Sequence, residues 1–444
     1  MADDLVKRAT SDEVEFIDLQ FTDITGNIKS VTIPVGRLQE ALDRGIWFDG
    51  SSIQGFARIQ ESDMFLMPDA STYRVLPWTS RERRRARLIC DIKRPDGEPF
   101  LGDPRAILRR EVKRATEMGF EYNCGPELEF FLFKRNSDGP LAAVPHDVGG
   151  YFDFSPKDEA QSIRADIVLA LTDMGMQVEA SHHEVAIGQH EIDFEYADAL
   201  TAADNATTFK YTVKAVAAAW DVYATFMPKP LFGVNGSGMH THQSMMDVNT
   251  GLNLFYDEHD EYRLSELAYQ FIAGQLAHAR ALAAVVAPTV NSYKRLTPGY
   301  EAPVYISWAQ INRSALIRIP RYAPGREQST RVELRFPDPS CNPYLAFAAM
   351  LRAGLDGVEC QMRAPEPVNE DLYHFTPLEL ESHGINTLPG TLGEALDALE
   401  SDPVVQSALG EHIAPWYLRA KRAEWDEYRI QVSQWELDRY LSTL

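Results

Sequence analysis

Glu127 and Glu129 stand two residues apart in Gly125-Pro126-Glu127-Leu128-Glu129-Phe130-Phe131-Leu132-Phe133. This short, aromatic-rich run, opened by Gly-Pro, predicts a strand. Side chains alternate across a strand, so both carboxylates face one way and Leu128, Phe130 and Leu132 the other. Neighbouring carboxylates repel, and an apolar flank makes each costlier to ionise; a divalent cation removes both penalties. The same period-two placement recurs along the chain. Glu184 and Glu191 lie in the run from His182 to Phe194, His240 and His242 alternate after Gly236-Ser237-Gly238-Met239, and Arg331, Glu333 and Arg335 share a face. Half-buried strands ordinarily carry apolar residues inside and scattered polar ones outside. Strands that each set carboxylate, imidazole or guanidinium opposite Val, Leu, Ile or Phe predict a sheet curved around a polar, metal-filled cavity. Oxygen-rich ligation with one imidazole favours Mg²⁺ or Mn²⁺ over Zn²⁺.

Arg295, Arg313, Arg318, Arg321, Arg326, Arg331 and Arg335 crowd a stretch interrupted by prolines and glycines. Arginine forks match carboxylate and phosphate oxygens. An arginine wall facing a carboxylate–metal wall is what phosphoryl transfer from a metal-bound nucleotide requires. No glycine is followed by lysine, which excludes a Walker loop, and Gly233-Val234-Asn235-Gly236-Ser237-Gly238 does not fit the dinucleotide fingerprint. That segment reads as a tight turn, notable for leading into His240. Pro298-Gly299-Tyr300-Glu301-Ala302-Pro303 is either a surface loop or a stiff lid carrying a base.

The elements that must position these groups fall into two units. The first, residues 1–100, opens with a hairpin (Val14–Phe21 and Ile28–Ile33 about Thr25-Gly26-Asn27), carries the polar loop Phe48–Phe56, and ends in the Pro/Gly stretch after Ile92. The basic run Arg81–Arg87 reads as a solvated loop or subunit contact. In the second unit, residues 101–444, Asp103-Pro104 predicts an N-capped helix running to Gly119. Further helices are predicted at 158–174, 200–226 and 264–287, with a mostly helical last hundred residues. Net charge of -22, from 43 basic and 65 acidic side chains, argues against nucleic-acid or anionic-membrane binding. The chain shows no signal-peptide h-region and no membrane span, and its four cysteines lack a CxxC, so a reduced cytoplasmic setting is expected.

Asp49-Gly50-Ser51-Ser52, Glu127-Leu128-Glu129-Phe130, Asn235–His240, Asn291–Leu296 with Pro298–Glu301, Asn312-Arg313-Ser314-Ala315 and Arg331–Arg335 occur in the order found in glutamine synthetase. The resemblance covers essentially the whole chain and is to the bacterial type I enzyme in its shorter, non-adenylylated form. It implies an α+β protein with an N-terminal β-grasp domain and a larger catalytic domain whose curved antiparallel sheet forms a metal-lined funnel. It implies a dodecamer of two hexameric rings, with active sites between neighbours, that ligates ammonia to L-glutamate using ATP. Two or three Mg²⁺ or Mn²⁺ ions are expected per site, held by Glu129, Glu184 and Glu191 and by Glu127, His240 and Glu333. By the same resemblance His242, Ser244, Arg318 and Arg331 serve ATP. Asn235, Gly236, Arg295, Glu301, Arg313 and Arg335 serve the substrate. Asp49, Ser52 and Tyr151 form the ammonium site, Asp49, Glu301, Arg313 and Arg318 act in catalysis, and Arg58 mediates glutamine feedback. Tyr373 aligns with the tyrosine adenylylated in the longer form, but the residues after it differ, so no adenylylation is expected. The alternatives are a ligase of the same fold using another amine, against which Asp49 speaks, and a non-catalytic relative, against which six filled ligand positions speak.

Overall fold

The computed structural model describes residues 2–51, 53, 63–135, 142–300, 302–312, 314–370 and 372–444. The expected hairpin forms from β1 (Phe16–Thr22) and β2 (Ile28–Pro34). It is turned by Asp23, whose carboxylate accepts from the backbone N–H groups of Thr25 (3.0 Å) and Asn27 (2.9 Å). With β3 (Ile46–Asp49), β4 (Asp63–Pro68), β5 (Arg74–Val75) and β6 (Arg85–Lys93) it builds a sheet of order β2-β1-β6-β4-β3, β5 lying on β6. β1 and β6 run parallel. Helices Ala2–Ser11 and Leu38–Arg44 bury Leu5, Ala9, Leu38 and Ala41 against Ile17, Leu19, Leu88 and Ile92, the β-grasp arrangement. The basic run is partly structural. Arg85 forks onto Asp18, and buried Arg87 donates to the Thr72 carbonyl (2.7 Å) and Thr208 Oγ1 (3.1 Å).

Asp103 caps the helix Pro104–Glu117, accepting from the Arg105 N–H at 3.0 Å, and also takes the Ile92 N–H of β6 at 3.1 Å. Arg105 is buried and binds both units at once. Its Nε and Nη2 fork onto Asp204 at 3.0 and 2.9 Å, while Nη1 reaches Asp91 (2.6 Å) and Nη2 Asp69 (2.9 Å) of the small sheet unit. Arg105→Met is expected to cost about 3–5 kcal/mol, because it leaves Asp204 buried without its counter-charge. Calorimetry showing a loss within about 1 kcal/mol would contradict this reading of the network.

The larger sheet centres on β7 (Phe120–Lys134). Around it stand β8 (Val178–His183), β9 (Gln189–Phe194), β10 (Ala197–Asp198), β11 (Val222–Thr225), β12 (Met239–Asp247), β13 (Tyr305–Ala309), β14 (Ala315–Arg318) and β15 (Val332–Leu334). The main path is β13-β14-β15-β12-β7-β9-β8, with β10 and β11 also on β7; β13–β14 is a parallel pair in an otherwise antiparallel sheet. Leu128, Phe130 and Leu132 are fully buried against helices Pro104–Glu117, Gln161–Asp173 and Ala199–Ala219, as the alternation predicts.

Two helices differ from expectation. The one predicted over 200–226 stops at Ala219, where Asp221 takes a positive φ and Val222–Thr225 leaves as β11, burying Val222 and Ala224. The one predicted over 264–287 is two, Glu266–Ala277 and Ala279–Val286. His278 breaks it, with Nδ1 2.7 Å from Asp402 and Nε2 3.1 Å from Asp356. No helix among the described residues is long and apolar enough to cross a membrane. All four cysteines are free thiols, Cys90, Cys124 and Cys341 buried and Cys360 exposed.

Candidate active site

Register brings the chemistry together. On adjacent strands Glu191 pairs with Glu129 (β9–β7), Glu127 with His240 (β7–β12), His242 with Glu333 (β12–β15) and Glu333 with Arg318 (β15–β14). Directly opposed residues lie within side-chain reach, so four ladders lay one polar row across the sheet. The row lines a cavity of about 330 Å³ that holds all six predicted ligands, Glu127, Glu129, Glu184, Glu191, His240 and Glu333. Tyr151, Asn235, Gly236, Arg295, Arg318 and Arg335 line it too. A second cavity of about 300 Å³ holds His242, Ser244 and Arg331. Glu127 and Asp193 are walls of both.

Two ligand groups cluster tightly enough to share an ion each: Glu127, His240 and Glu333, and Glu184 and Glu191 beside His182. Glu127, Glu191 and Asp193 form a third such group. Burial, then the Glu184 charge, push Glu129 up to about 8. Burial and Glu129 push Glu191 up as well. Asp193 Oδ1, buried, meets no hydrogen-bond donor. Carboxyls that ionise reluctantly alone and share faces with oxygen and imidazole donors fit hard divalent cations. On the other side of the row burial is outweighed: His242 and His240 hold Glu127 well below the usual carboxylate range, and His242 and Arg335 hold Glu333 down.

A pH dependence follows. A carboxyl harder to ionise in the folded chain keeps an extra proton, so between its ordinary value of 4.5 and about 8 Glu129 makes stability fall as pH rises. Buried Asp103, pushed up to about 7, has the same sign but lies outside the cavity. Buried His190 and His240, held below the usual imidazole range, contribute with the opposite sign, so the readable quantity is the cation's effect: saturating Mg²⁺ should raise melting temperature over the chelator value by a few degrees more at pH 8 than at pH 5. Identical slopes with and without the cation would show that these carboxylates hold none.

Supporting contacts fix the row. Arg331 Nε donates to His242 Nδ1 (3.1 Å), so Nε2 carries the proton it gives to Glu127 (2.7 Å). Arg318 and Arg335 both grip Glu333, Arg335 at 3.2 Å. Arg295 is buried and donates to the carbonyls of Phe336 (2.9 Å) and Arg335 (3.1 Å). Gln189, unremarked in the sequence, donates to Glu129 (2.7 Å) and the Gly236 carbonyl (3.1 Å). His182 Nε2 lies 2.9 Å from Glu184 Oε1. Gln189 and Asp193 share Glu191's strand face, so continuing the period-two count along β9 would have found them.

Asp49 ends β3, exposed, and does not line its own chain's cavity. Ser52, Arg58, Glu301 and Arg313 lie outside the described residues. Behind the site, buried Asp147, His183 and His190 also cluster. Arg164 donates to His190 Nδ1 at 3.0 Å, which puts the proton on Nε2 and removes it as a ligand. His183 Nδ1 instead donates to the Glu184 carbonyl at 2.7 Å, so this cluster supports Glu184.

A carboxylate–imidazole row faced by arginines and sharing walls with a second polar cavity fits a cation-dependent enzyme of phosphoryl transfer. Residues 101–440 match the family model described as glutamine synthetase, catalytic domain, and residues 13–95 that described as glutamine synthetase, beta-Grasp domain. The chain belongs to the glutamine synthetase family. It is 55% identical over 441 residues to the glutamine synthetase of Halobacterium salinarum (98% of this chain, 96% of that one). Against that of Thermus thermophilus it is 53% identical over 444 residues (99% and 98%). Among solved structures it superposes on a GmaS–ADP complex with a TM-score of 0.90 at 35% identity, covering 100% of both chains. It matches the Plasmodium falciparum glutamine synthetase with a TM-score of 0.87 at 28% identity, covering 99% of this chain and 98% of that one.

Proposed function

We infer that this chain makes L-glutamine from L-glutamate, ammonia and ATP through γ-glutamyl phosphate. The observation that carries the reading is that Glu127 is a wall of both cavities. A nucleotide in the cavity of His242, Ser244 and Arg331 then presents its terminal phosphate where the ligand row begins. Mg²⁺ or Mn²⁺, held by Glu129, Glu184 and Glu191 and by Glu127, His240 and Glu333, would neutralise charge on the phosphate oxygens.

Asn235, Gly236 and Arg295 hold glutamate with its side-chain carboxylate toward the phosphate. That carboxylate oxygen bonds to the γ-phosphorus as the bond to ADP breaks. Arg318 and Arg335, anchored on Glu333, stay aimed at the charge that develops. Asp49 reaches the Tyr151 edge of the cavity from a neighbouring copy and takes a proton from ammonium. Ammonia then displaces phosphate from the acyl carbon. Ser52, Glu301 and Arg313 keep the roles the family resemblance implies.

A site completed by a neighbour's Asp49 requires an oligomer, and a dodecamer of two hexameric rings in the cytoplasm is our reading. The residues after Tyr373 differ from those of the adenylylated loop, which supports the non-adenylylated subtype. The test is phosphate release from Mg-ATP and glutamate with and without ammonium. Release that needs ammonium and yields glutamine in equal amount is expected. Release that ignores ammonium but follows another amine would move the chain to the rival ligase reading. No release from folded, cation-loaded protein would overturn enzymatic function.

A further inference from the structure

We propose that Lys229 is a positioning residue that sets the glutamate end of the cavity by tying the 228–237 loop to Tyr300. The proposal rests on the glutamine-forming reading for its substrate and on separate geometry for the tie. The loop is closed at its base, where the Ser237 N–H donates to the Pro228 carbonyl at 2.8 Å. It has no slack there: a Cβ on Gly236 would lie 2.2 Å from that same carbonyl oxygen. Asn291 clamps the Lys229 backbone from both sides, accepting its N–H at 2.7 Å and donating to its carbonyl at 3.0 Å.

From that fixed backbone the Lys229 side chain reaches across the loop. Its Nζ donates to the Val234 carbonyl and stands 4.0 Å from the centroid of the Tyr300 ring. An ammonium over an aromatic face at that distance is attracted to it. Val234 is followed directly by Asn235 and Gly236, which line the cavity, and Tyr300 lines it from across the gap. One ammonium therefore pins both walls of the end where Arg295 lies, and neither wall belongs to the sheet. The ATP cavity shares none of these residues. Loss of the tie should widen the glutamate end and leave the nucleotide end alone.

Lys229→Met keeps the aliphatic stem and removes the charge and the donor. It should raise KM for glutamate about 10-fold while KM for ATP stays within about twofold. Lys229→Arg, whose guanidinium also stacks on aromatic faces and donates, should restore most of the difference. Tyr300→Leu should reproduce the rise, and adding it to Lys229→Met should change little further, because both remove one contact. Amide hydrogen exchange over residues 230–236 should quicken in Lys229→Met. Unchanged exchange, or KM values for both substrates rising together with a falling melting temperature, would overturn the proposal. Should the wild-type chain make no glutamine, the functional reading falls, and the exchange comparison still decides the role of Lys229.

Discussion

Glu127→Gln should lower glutamine formation by about 10³-fold, in a chain that still folds but melts somewhat lower because the ionised carboxylate is favoured by its imidazoles. The substitution preserves shape and removes only charge, and few side chains here have so much depending on charge. Oε1 accepts from His242 Nε2 at 2.7 Å, and Oε2 lies 3.6 Å from His240 Nδ1. The two imidazoles overcome the cost of burial and keep this carboxylate ionised when Glu129 and Glu191, across the row, are not. Glu127, with Glu184 and Glu333, is thus among the proposed ligands whose charge is in place before any cation arrives. Steady-state rates at saturating substrates, with a melting curve for each protein, are the measurement. A loss smaller than about 10-fold would mean that the wall between the two cavities is not where phosphoryl transfer is organised.

Asp49→Ala should raise KM for ammonium by about 100-fold and leave ATP binding nearly untouched. Hydrogen bonds from Ser51 hold the Asp49 carboxyl below its usual range, so it is ionised at neutral pH and suited to attract a cation. Its position at the end of β3, outside its own chain's cavity, makes a sharper experiment possible. On the proposed reading, subunits carrying Asp49→Ala lack one half of a shared site, and subunits carrying Glu127→Gln the other. Dissociated, mixed one to one and reassembled, they should rebuild roughly a quarter of the sites intact. Mixtures no more active than either parent would place Asp49 outside catalysis between subunits. Equal losses of ammonium and ATP binding in the single variant would do the same.

Much of this site was legible in the sequence because strands have a period of exact alternation. Once Glu127 and Glu129 are set opposite Leu128 and Phe130, the cavity face of β7 follows, and the same count places His240, His242 and Glu333. What alternation cannot supply is register. Nothing in the residues says that Glu191 opposes Glu129 or that Arg318 opposes Glu333; those pairings come from long-range packing. The helix errors have the same origin. His278 breaks an otherwise continuous apolar pattern because Asp356 and Asp402, far along the chain, bind both ring nitrogens. The Arg81–Arg87 run looked like solvated charge, yet Arg85 and Arg87 answer Asp18 and Thr208, partners visible only after folding. Gln189, a neutral residue, is marked only by sharing Glu191's strand face, and its importance lies in the two acceptors it bridges.

The buried fork of Arg105 onto Asp204, Asp91 and Asp69 has a consequence for how the assembly behaves under stress. A chain whose two units shared only a polar seam would open them separately, each at its own free energy. Here, freeing the small sheet pulls two carboxylates, Asp69 and Asp91, away from one guanidinium that stays on Asp204, so opening either unit charges its cost to the other and the slowest-exchanging amides of both should share a single protection limit. Asp49 rides on that small sheet. If Asp49 serves a neighbour's cavity, as proposed above, its placement there depends on an ion cluster that never meets a substrate.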